Sequence, residues 1–359
     1  MPSGPVSGRS LSPTVFAGFH DAYLAVLDHV GRHAEYRNAP RGNPTRECLN
    51  VSFQLANPLA RLPFLPARRT DVVFNLAETL WFLSGRNDVN MITYYEPHMR
   101  SLSANGSTID GTAYGTRLFR PVSGRNGRSA FDATVDLIRH APDTKRAVMP
   151  IFTEQEVGER MHPDVSGALA FQLFQRDGAL HAVCYARAND VMDDLAAAVF
   201  SFTFVQELAA RLLALELGTY THHAGSMHIQ DVEHSRVERI LSHAESSTSP
   251  VSFPNLRMPL DTTMGAVREL CIQEQLLRGN QIRHTPESIE ELDLDRYWQQ
   301  LVALLEAYRQ IRYAPDGAAV DFEILDFLDP AHRWLLARKW PDRVPQDLPV
   351  TARSHHEPA

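Results

Sequence analysis

Cysteine is scarce in this chain and scattered along it. The 359 residues include three, Cys48, Cys184 and Cys271, and these stand neither at the short spacings of a metal site nor in the dense pattern of a disulfide-stabilised domain. The sequence therefore predicts no disulfide framework and no metal centre. A reducing cytoplasm is the compartment that fits this cysteine usage.

Long apolar runs and an excess of positive charge are also absent. No stretch of about 18 residues is apolar without polar breaks, so we expect no membrane span. The formal net charge is −8 at pH 7, whereas proteins that bind nucleic acid non-specifically are usually basic. We therefore expect neither a membrane nor a nucleic acid as a partner. Hydrophobic residues make up 44% and charged residues 22%, which is typical of a globular protein.

No repeat and no sharp change of composition divides the chain, so the sequence predicts a single domain. We place this domain at residues 15–340. It follows a lead at residues 1–14 that has no apolar signal core and is predicted to be disordered. Residues 341–359 contain prolines and histidines and are predicted to form a loose tail.

The most regular pattern is a pair of apolar arms followed by a long apolar stretch. The arms, 168–175 and 179–190, flank an Asp-Gly pair, which is a strong signal for a β-hairpin turn. The stretch 194–218 is apolar on nearly every face for much of its length, so we expect a buried helix that ends at Gly218. A hairpin that leads into a buried helix would form the scaffold of the fold.

One polar residue stands out on this scaffold. Arg187 closes the second arm on the same strand face as Val183 and Tyr185, because strand side chains alternate. A solvated charge is one interpretation of an arginine at a strand end. The Arg-Ala-Asn-Asp run that enters a buried helix favours the other interpretation, which is an anion site at the start of that helix.

Further elements follow from the same periodicities and cap signals. A helix over 70–84 has Thr70 or Asp71 as its N-cap and Gly85 as its stop, and it carries an acid, Glu78, within an apolar face. The other elements predict an α/β (α+β) fold, in which a mixed or antiparallel sheet packs on the long buried helix. They are helices at 15–35 and near 130–140, 228–243, 263–278 and 294–312, and strands at 49–58 and 147–152.

Five short motifs, in a consistent order over residues 40–240, resemble those of the thymidylate synthases and the related cytidylate hydroxymethylases. Each motif alone is weak, but five in register are specific. They are Glu78-Thr79-Leu80-Trp81-Phe82-Leu83 with Gly85, Tyr114-Gly115, Asp143-Thr144-Lys145-Arg146, Gln172…Gly178-x-Leu180…Tyr185-x-Arg187-x-x-Asp190-Val191, and Gly225-x-x-His228-Ile229.

The resemblance implies a thymidylate synthase-like fold and one-carbon transfer to C5 of a pyrimidine nucleoside monophosphate. In that family a cysteine thiolate adds to C6 and makes C5 nucleophilic, and 5,10-methylenetetrahydrofolate supplies the carbon. Thymidylate synthases then transfer a hydride, whereas the hydroxymethylases add water. The resemblance also implies a homodimer with shared active sites, because one pair of phosphate ligands comes from the second subunit.

Site roles carry over from the resemblance residue by residue. Fixed cations and arginine forks suit a phosphate dianion. The phosphate ligands that the resemblance implies are Arg41, Lys145, Arg146 and Arg187, with Lys145-Arg146 reaching in from the second subunit. The implied catalytic residues are Glu78 and Tyr114 near the base and Asp190 at the pterin. The implied nucleoside-binding positions are Gln172, Ala188, Ala198, His228 and Gln230, with His228 at the ribose.

Two positions depart from the family pattern. The nucleophile should lie five residues before the motif glutamine, and counting back gives Gly167 instead of a cysteine. The residue that reads the base edge, an asparagine or aspartate in the family, is Ala198, which cannot make the paired hydrogen bonds that discriminate between bases. Cys184 should point to the opposite strand face from Arg187, and Ser166 is a poor nucleophile without an activating base.

Three interpretations remain. The first is a divergent one-carbon transferase that works without the cysteine adduct, on a ring carbon that is already nucleophilic or with Asp193, Asp194 or Glu78 as the base. The second is a catalytically inactive paralogue that binds nucleotide as a regulatory or structural subunit. The third is a misalignment, with the cysteine elsewhere. Ala188 and Lys145 slightly favour a ribonucleotide such as CMP, because they resemble the ribonucleotide-type hydroxymethylases.

Overall fold

The computed structural model of the protein describes residues 12–122, 124, 126–247, 251–315 and 317–346. Within these residues, seven strands form one mixed sheet. They are β1 (Thr14–Phe16), β2 (Tyr36–Asn38), β3 (Thr45–Leu55), β4 (Val148–Pro150), β5 (Ala168–Arg176), β6 (Ala179–Asp190) and β7 (Glu216–Gln230). The order across the sheet is β1-β3-β7-β6-β5-β4, and β2 pairs with β3. The β1–β3 and β6–β7 pairs are parallel, and the other pairs are antiparallel.

Twelve α-helices lie around this sheet in the described part of the chain. They are α1 (Phe19–Arg32), α2 (Val72–Leu83), α3 (Val89–Tyr95), α4 (Gly115–Leu118), α5 (Ala130–His140), α6 (Leu195–Leu212), α7 (His234–Ser246), α8 (Met264–Arg278), α9 (Pro286–Glu290), α10 (Arg296–Tyr313), α11 (Phe322–Phe327) and α12 (Pro330–Lys339). A mixed sheet packed on a long buried helix and surrounded by other helices confirms the predicted α/β fold class.

Strands β5 and β6 form the predicted hairpin. They pair antiparallel, and Asp177 and Gly178 join them with φ values of 50° and 77°. Both residues are therefore left-handed, as a two-residue type I′ turn requires, and Asp-Gly tolerates that conformation well. Along β6, Cys184 is fully buried while Val183 and Tyr185 are half-buried, so the side chains alternate as predicted.

Helix α6 is the core helix of the fold. By length and apolar composition it could cross a membrane, but 89% of it is buried inside the protein. The prediction that it continues to Gly218 is wrong. The helix ends at Leu212, Ala214 takes a φ of 54°, and the chain then enters β7, which pairs with β6. Gly218 lies within β7, where a Cβ would come within 2.7 Å of His181 Nδ1.

The helix that carries Glu78 forms as predicted. The side chain of Asp71 caps α2 by accepting a hydrogen bond from the backbone N–H of Phe74 at 2.9 Å. Gly85 follows the helix with a φ of 63°, a conformation that favours glycine. Because α2 packs against α6, the middle of α2 lies in the core.

Other boundaries differ from the predictions because strand pairing extends further than the local patterns. β3 begins at Thr45 rather than at residue 49, and the residues predicted to open a helix at 228 are the end of β7, so α7 starts at His234. Thr14 opens β1 and Val344 is fully buried, so the packed region crosses both predicted domain boundaries. Residues 1–11 and 347–359, the rest of the predicted lead and tail, lie outside the described residues.

Candidate active site

A cavity of about 590 Å³ opens where the N-terminus of α6 meets the ends of β3, β6 and β7. Its lining comes from positions far apart in the sequence, because the strand order β3-β7-β6 brings them to one place. Eight of the site positions that the resemblance implied line it, namely Arg41, Glu78, Tyr114, Gly167, Arg187, Ala188, Ala198 and His228, and so do the candidate bases Asp193 and Asp194.

Two arginines form a cationic end of this cavity. The guanidinium of Arg187 donates hydrogen bonds to the backbone carbonyls of Ser166 and Val165 at 3.2 and 3.3 Å. The guanidinium of Arg41 donates to the carbonyls of Pro163 and His162 at 3.2 and 3.4 Å. One loop therefore holds both cations, and their forked N–H groups suit an anion with several oxygens.

The strand alternation of β6 separates Arg187 from Cys184. Arg187 lies on the same strand side as Val183 and Tyr185 and lines the cavity, whereas Cys184 is fully buried on the other side. Burial raises the pKa of the Cys184 thiol to about 12, so the thiolate is scarce at neutral pH. Cys184 is therefore a core residue and does not line the cavity.

Two carboxylic acids form an acidic end of the cavity. Burial, and secondly the charge of Asp194, raises the pKa of Glu78 to about 8. The Ser201 hydroxyl donates to Glu78 Oε2 at 3.3 Å and opposes that rise. Burial, followed by the charges of Asp190 and Asp193, raises the pKa of Asp194 to about 7. Both groups can therefore gain or lose a proton near neutral pH.

Asp190 lies beside this acidic end, at the junction of β6 and α6. Burial raises its pKa, and the charge of Asp193 raises it further. Its Oδ2 lies 3.8 Å from Nε2 of His228, a longer separation than a hydrogen bond, and among the described residues this buried oxygen has no hydrogen-bond partner. Its other oxygen accepts the backbone N–H groups of Met192 and Asp193 at 2.7 and 3.1 Å.

The position that the resemblance assigns to the nucleophile is enclosed by Tyr114. The Tyr114 hydroxyl accepts the backbone N–H of Ala168 at 3.1 Å, and burial raises the pKa of that phenol well above its ordinary value. A Cβ added at Gly167 would lie 3.1 Å from the same oxygen. The neighbouring Ser166 is fully buried, and its hydroxyl donates to the carbonyl of Gly111 at 2.9 Å, so it is engaged in the packing of the loop.

Five of the site residues that the resemblance implied do not line the cavity, namely Asp190, Lys145, Arg146, Gln172 and Gln230. Lys145 and Arg146 are exposed. Gln172 lies on β5, where its amide donates to the carbonyl of Lys145 at 2.9 Å and its Oε1 accepts from the Tyr185 hydroxyl at 3.2 Å. Gln230 is the last residue of β7. The structure therefore does not bring Gln172 or Gln230 into the cavity of their own chain.

Several cavity residues were missed in the sequence, and the most notable are on β2, β3 and β7. Oε2 of Glu47 accepts a hydrogen bond from Asn38 Nδ2 at 2.5 Å, and its Oε1 accepts one from the Ser226 hydroxyl. The available signal is the alternation of two polar residues, Thr45 and Glu47. Both lie before residue 49, where the strand was predicted to start. An apolar wall was also missed, consisting of Phe74, Met99 and Leu102.

The profile of the family described as Thymidylate synthase matches residues 21–283. The chain belongs to the thymidylate synthase family. It is 31% identical over 218 residues to the deoxyuridylate hydroxymethyltransferase of Bacillus phage SP01, covering 58% of this chain and 56% of that protein. It is 27% identical over 165 residues to the thymidylate synthase of Symbiobacterium thermophilum, covering 43% and 57%. It is 24% identical over 207 residues to the deoxyuridylate hydroxymethyltransferase of Pseudomonas phage M6, covering 57% and 58%.

Membership of the thymidylate synthase family confirms the fold that the motifs implied. The chain spans a little over half the length of the curated relatives that it matches. Strands β2 to β7 lie within the matched region, whereas α9 to α12 follow it.

Among the described residues, no group of three or more His, Cys, Asp or Glu side chains is arranged to hold a metal ion.

Proposed function

We propose that this chain binds a nucleoside monophosphate in the cavity and transfers a one-carbon unit to its ring by a route without a cysteine adduct. The observation that carries the proposal is the polarity of the cavity. Arg41 and Arg187 supply cations to its lining, and Glu78 and Asp194 supply carboxyl groups whose pKa values are raised to about 8 and 7. A phosphate bound by the two arginines and a ring bound beside the two carboxyl groups would fit such a cavity.

The proposal includes a homodimer, because Lys145 and Arg146 are exposed and a second copy could deliver them to the phosphate. A half-buried face of the sheet, opposite the core, supports this. On that face the rings of Tyr185 and His223 stack with their centroids 5.6 Å apart, and the Tyr185 hydroxyl donates to Gln172. Ordered polar and aromatic groups of this kind suit a protein interface.

The apolar part of the cavity lining suits 5,10-methylenetetrahydrofolate. Phe74, Met99 and Leu102 offer apolar contacts for flat rings. Asp190 lies next to the lining residue Asn189, and its Oδ2 is a buried acceptor with no hydrogen-bond partner among the described residues. We place the pterin N–H groups at Asp190 and the rings against the apolar wall. When bound, the folate supplies the one-carbon unit.

The acidic end supplies the proton chemistry in this proposal. Since Gly167 offers no thiolate, the acceptor ring must carry a carbon that is already nucleophilic. That carbon loses a proton when it gains a substituent, and the ionised carboxylate of Asp194 or Glu78 accepts it. The phenol of Tyr114 stays protonated, because burial raises its pKa, and it can donate a hydrogen bond to a ring oxygen or to water.

The acceptor is proposed to be a ribonucleotide such as CMP. Ala188 and Lys145 resemble the ribonucleotide-type hydroxymethylases. Both curated hydroxymethyltransferases named above are deoxyuridylate enzymes, so an acceptor such as CMP would differ from theirs in the sugar and in the base. Scarce cysteine favours the cytoplasm as its compartment.

Ligand-dependent thermal shifts test the proposal. Nucleoside monophosphates should raise the melting temperature, and tetrahydrofolate should raise it further in the presence of nucleotide, because each ligand binds only the folded chain. Stabilisation by nucleotide without any folate effect would favour the alternative function. No stabilisation by any nucleoside monophosphate would overturn both.

The alternative is a catalytically inactive paralogue that binds nucleotide as a regulatory or structural subunit. A specific observation favours it: Gly167 and Ala198, the positions assigned to the nucleophile and to base reading, both line the cavity and both lack a functional side chain. Loss of both groups is the expected result of decay in an enzyme that no longer needs catalysis.

Restoring the thiol alone should restore little chemistry. We expect Gly167→Cys to release little tritium from C5-labelled pyrimidine nucleotides, because Ala198 still leaves the base edge unpaired and the new Cβ would crowd Tyr114. The matched comparison is the double variant Gly167→Cys, Ala198→Asn, which should release more. Robust release by the single variant would contradict the view that base reading is lost.

A further inference from the structure

Strand pairing places a carboxylate in the cavity beside the residue expected at the ribose. On β3, Glu47 is the direct cross-strand partner of His228 on β7, and His228 is in turn the partner of Asp190 on β6. Directly opposed side chains share a sheet face about 5 Å apart. Glu47 and His228 both line the cavity, so a ligand that touches one can touch the other.

Neutral groups hold the Glu47 carboxylate in a defined position. Its Oε2 accepts the amide of Asn38 at 2.5 Å, its Oε1 accepts the hydroxyl of Ser226, and the Asn38 oxygen accepts the hydroxyl of Thr45. Each carboxylate oxygen has two lone pairs, so each can accept a further hydrogen bond. The carboxylate is thus oriented in advance, and part of its acceptor capacity is unused.

Glu47 adds a negative charge to a cavity that would bind a phosphate. Among the described residues no basic side chain forms an ion pair with it, since the neighbouring Arg46 turns to Asp231 at 3.1 Å and Arg41 and Arg187 contact the 162–166 loop. An unpaired carboxylate repels a phosphate dianion and attracts hydroxyl donors. A ligand that carries hydroxyl groups next to its phosphate would use both the arginines and the Glu47 carboxylate.

We propose that Glu47 accepts a hydrogen bond from the ribose 2′-hydroxyl and so selects ribonucleoside over deoxyribonucleoside monophosphates. This inference rests on the proposed function and deepens it by assigning the sugar selectivity to a residue. A carboxylate that binds the ribose 2′-hydroxyl is a general solution in nucleotide sites. A site built to hydrogen-bond a hydroxyl rejects an analogue that lacks it, because its own polar group is then left unpaired.

The experiment compares matched sugar pairs by calorimetric titration of the full chain. We expect the wild type to bind CMP and UMP at least tenfold more tightly than dCMP and dUMP, and to bind 2′-O-methyl-CMP as weakly as dCMP. Glu47→Ala should lower the ribose-to-deoxyribose affinity ratio at least tenfold, mainly by weakening the ribonucleotides. Glu47→Gln retains a carbonyl acceptor in a side chain of the same shape, so it should give an intermediate affinity ratio. This variant provides the test if the alanine variant does not fold.

Glu216→Ala is the matched control, because it removes an exposed carboxylate at the far end of β7 and should leave the ratio unchanged. Nucleotide binding with an equal ratio in the wild type and both Glu47 variants overturns this inference alone. Failure of the wild type to bind any of the five nucleotides overturns the proposed function, and the inference with it.

Discussion

Arg187→Ala is expected to abolish measurable binding of nucleoside monophosphates. The guanidinium stands at the cationic end of the cavity and is held there by the carbonyls of Val165 and Ser166. Each hydrogen bond between a charged donor and an anion is worth roughly 1.5–3 kcal/mol, so loss of a two-pronged contact should weaken binding about a hundredfold or more. Isothermal titration with CMP and UMP measures the effect directly.

Two comparisons separate recognition from folding in this experiment. Arg187→Lys keeps the charge but loses the planar fork, so it should retain part of the affinity. Arg176→Ala removes an arginine from the turn end of the same hairpin. The Arg176 guanidinium donates to the carbonyl of Asp143 and lies 5.5 Å from the ring of Phe174. This variant should bind nucleotide as tightly as the wild type does. Undiminished affinity in Arg187→Ala would rule out the phosphate assignment.

Spacing within a single element was enough to predict much of the fold and some of the site. Arg187 and Cys184 are three residues apart on β6, so strand alternation puts them on opposite sides, and the sequence alone predicted that the thiol faces the core. In the same way, the cap at Asp71 and the glycine after the helix identified α2, and Asp-Gly identified the hairpin. These features depend on neighbours a few residues away, which a local pattern can report.

Features that arise from pairing between distant strands could not be predicted in this way. The hydrogen bond between Ser226 and Glu47 joins residues 179 apart, and only the β3–β7 register brings them together. The early end of α6 has the same origin, because the apolar pattern continues past Leu212 but the chain pairs with β6 instead. Tertiary pairing overrides local propensity at such places.

The acidic end of the cavity shows how packing sets chemistry. Glu78 has an unfavourable position for a charge, since burial and then the charge of Asp194 raise its pKa from 4.5 to about 8. Below pH 4.5 the folded and unfolded forms are both protonated. Between pH 4.5 and 8 the unfolded side chain ionises while the folded one keeps its proton, so stability falls as the pH rises. The full loss, on the order of 5 kcal/mol, is reached above pH 8.

Glu78→Gln should therefore raise the free energy of unfolding by about 3 kcal/mol or more at pH 9 and change it little at pH 4.5, because glutamine never ionises. Any cost of burying the amide is equal at both values, so the difference between them isolates the ionisation. Urea unfolding measures it, and the exposed Glu216→Gln should show no such difference. An equal effect at both pH values would mean that Glu78 is not buried in a charge-excluding site. A variant that is more stable at high pH but loses one-carbon transfer would indicate that the ionisable carboxyl group of Glu78 serves the reaction at a cost in stability.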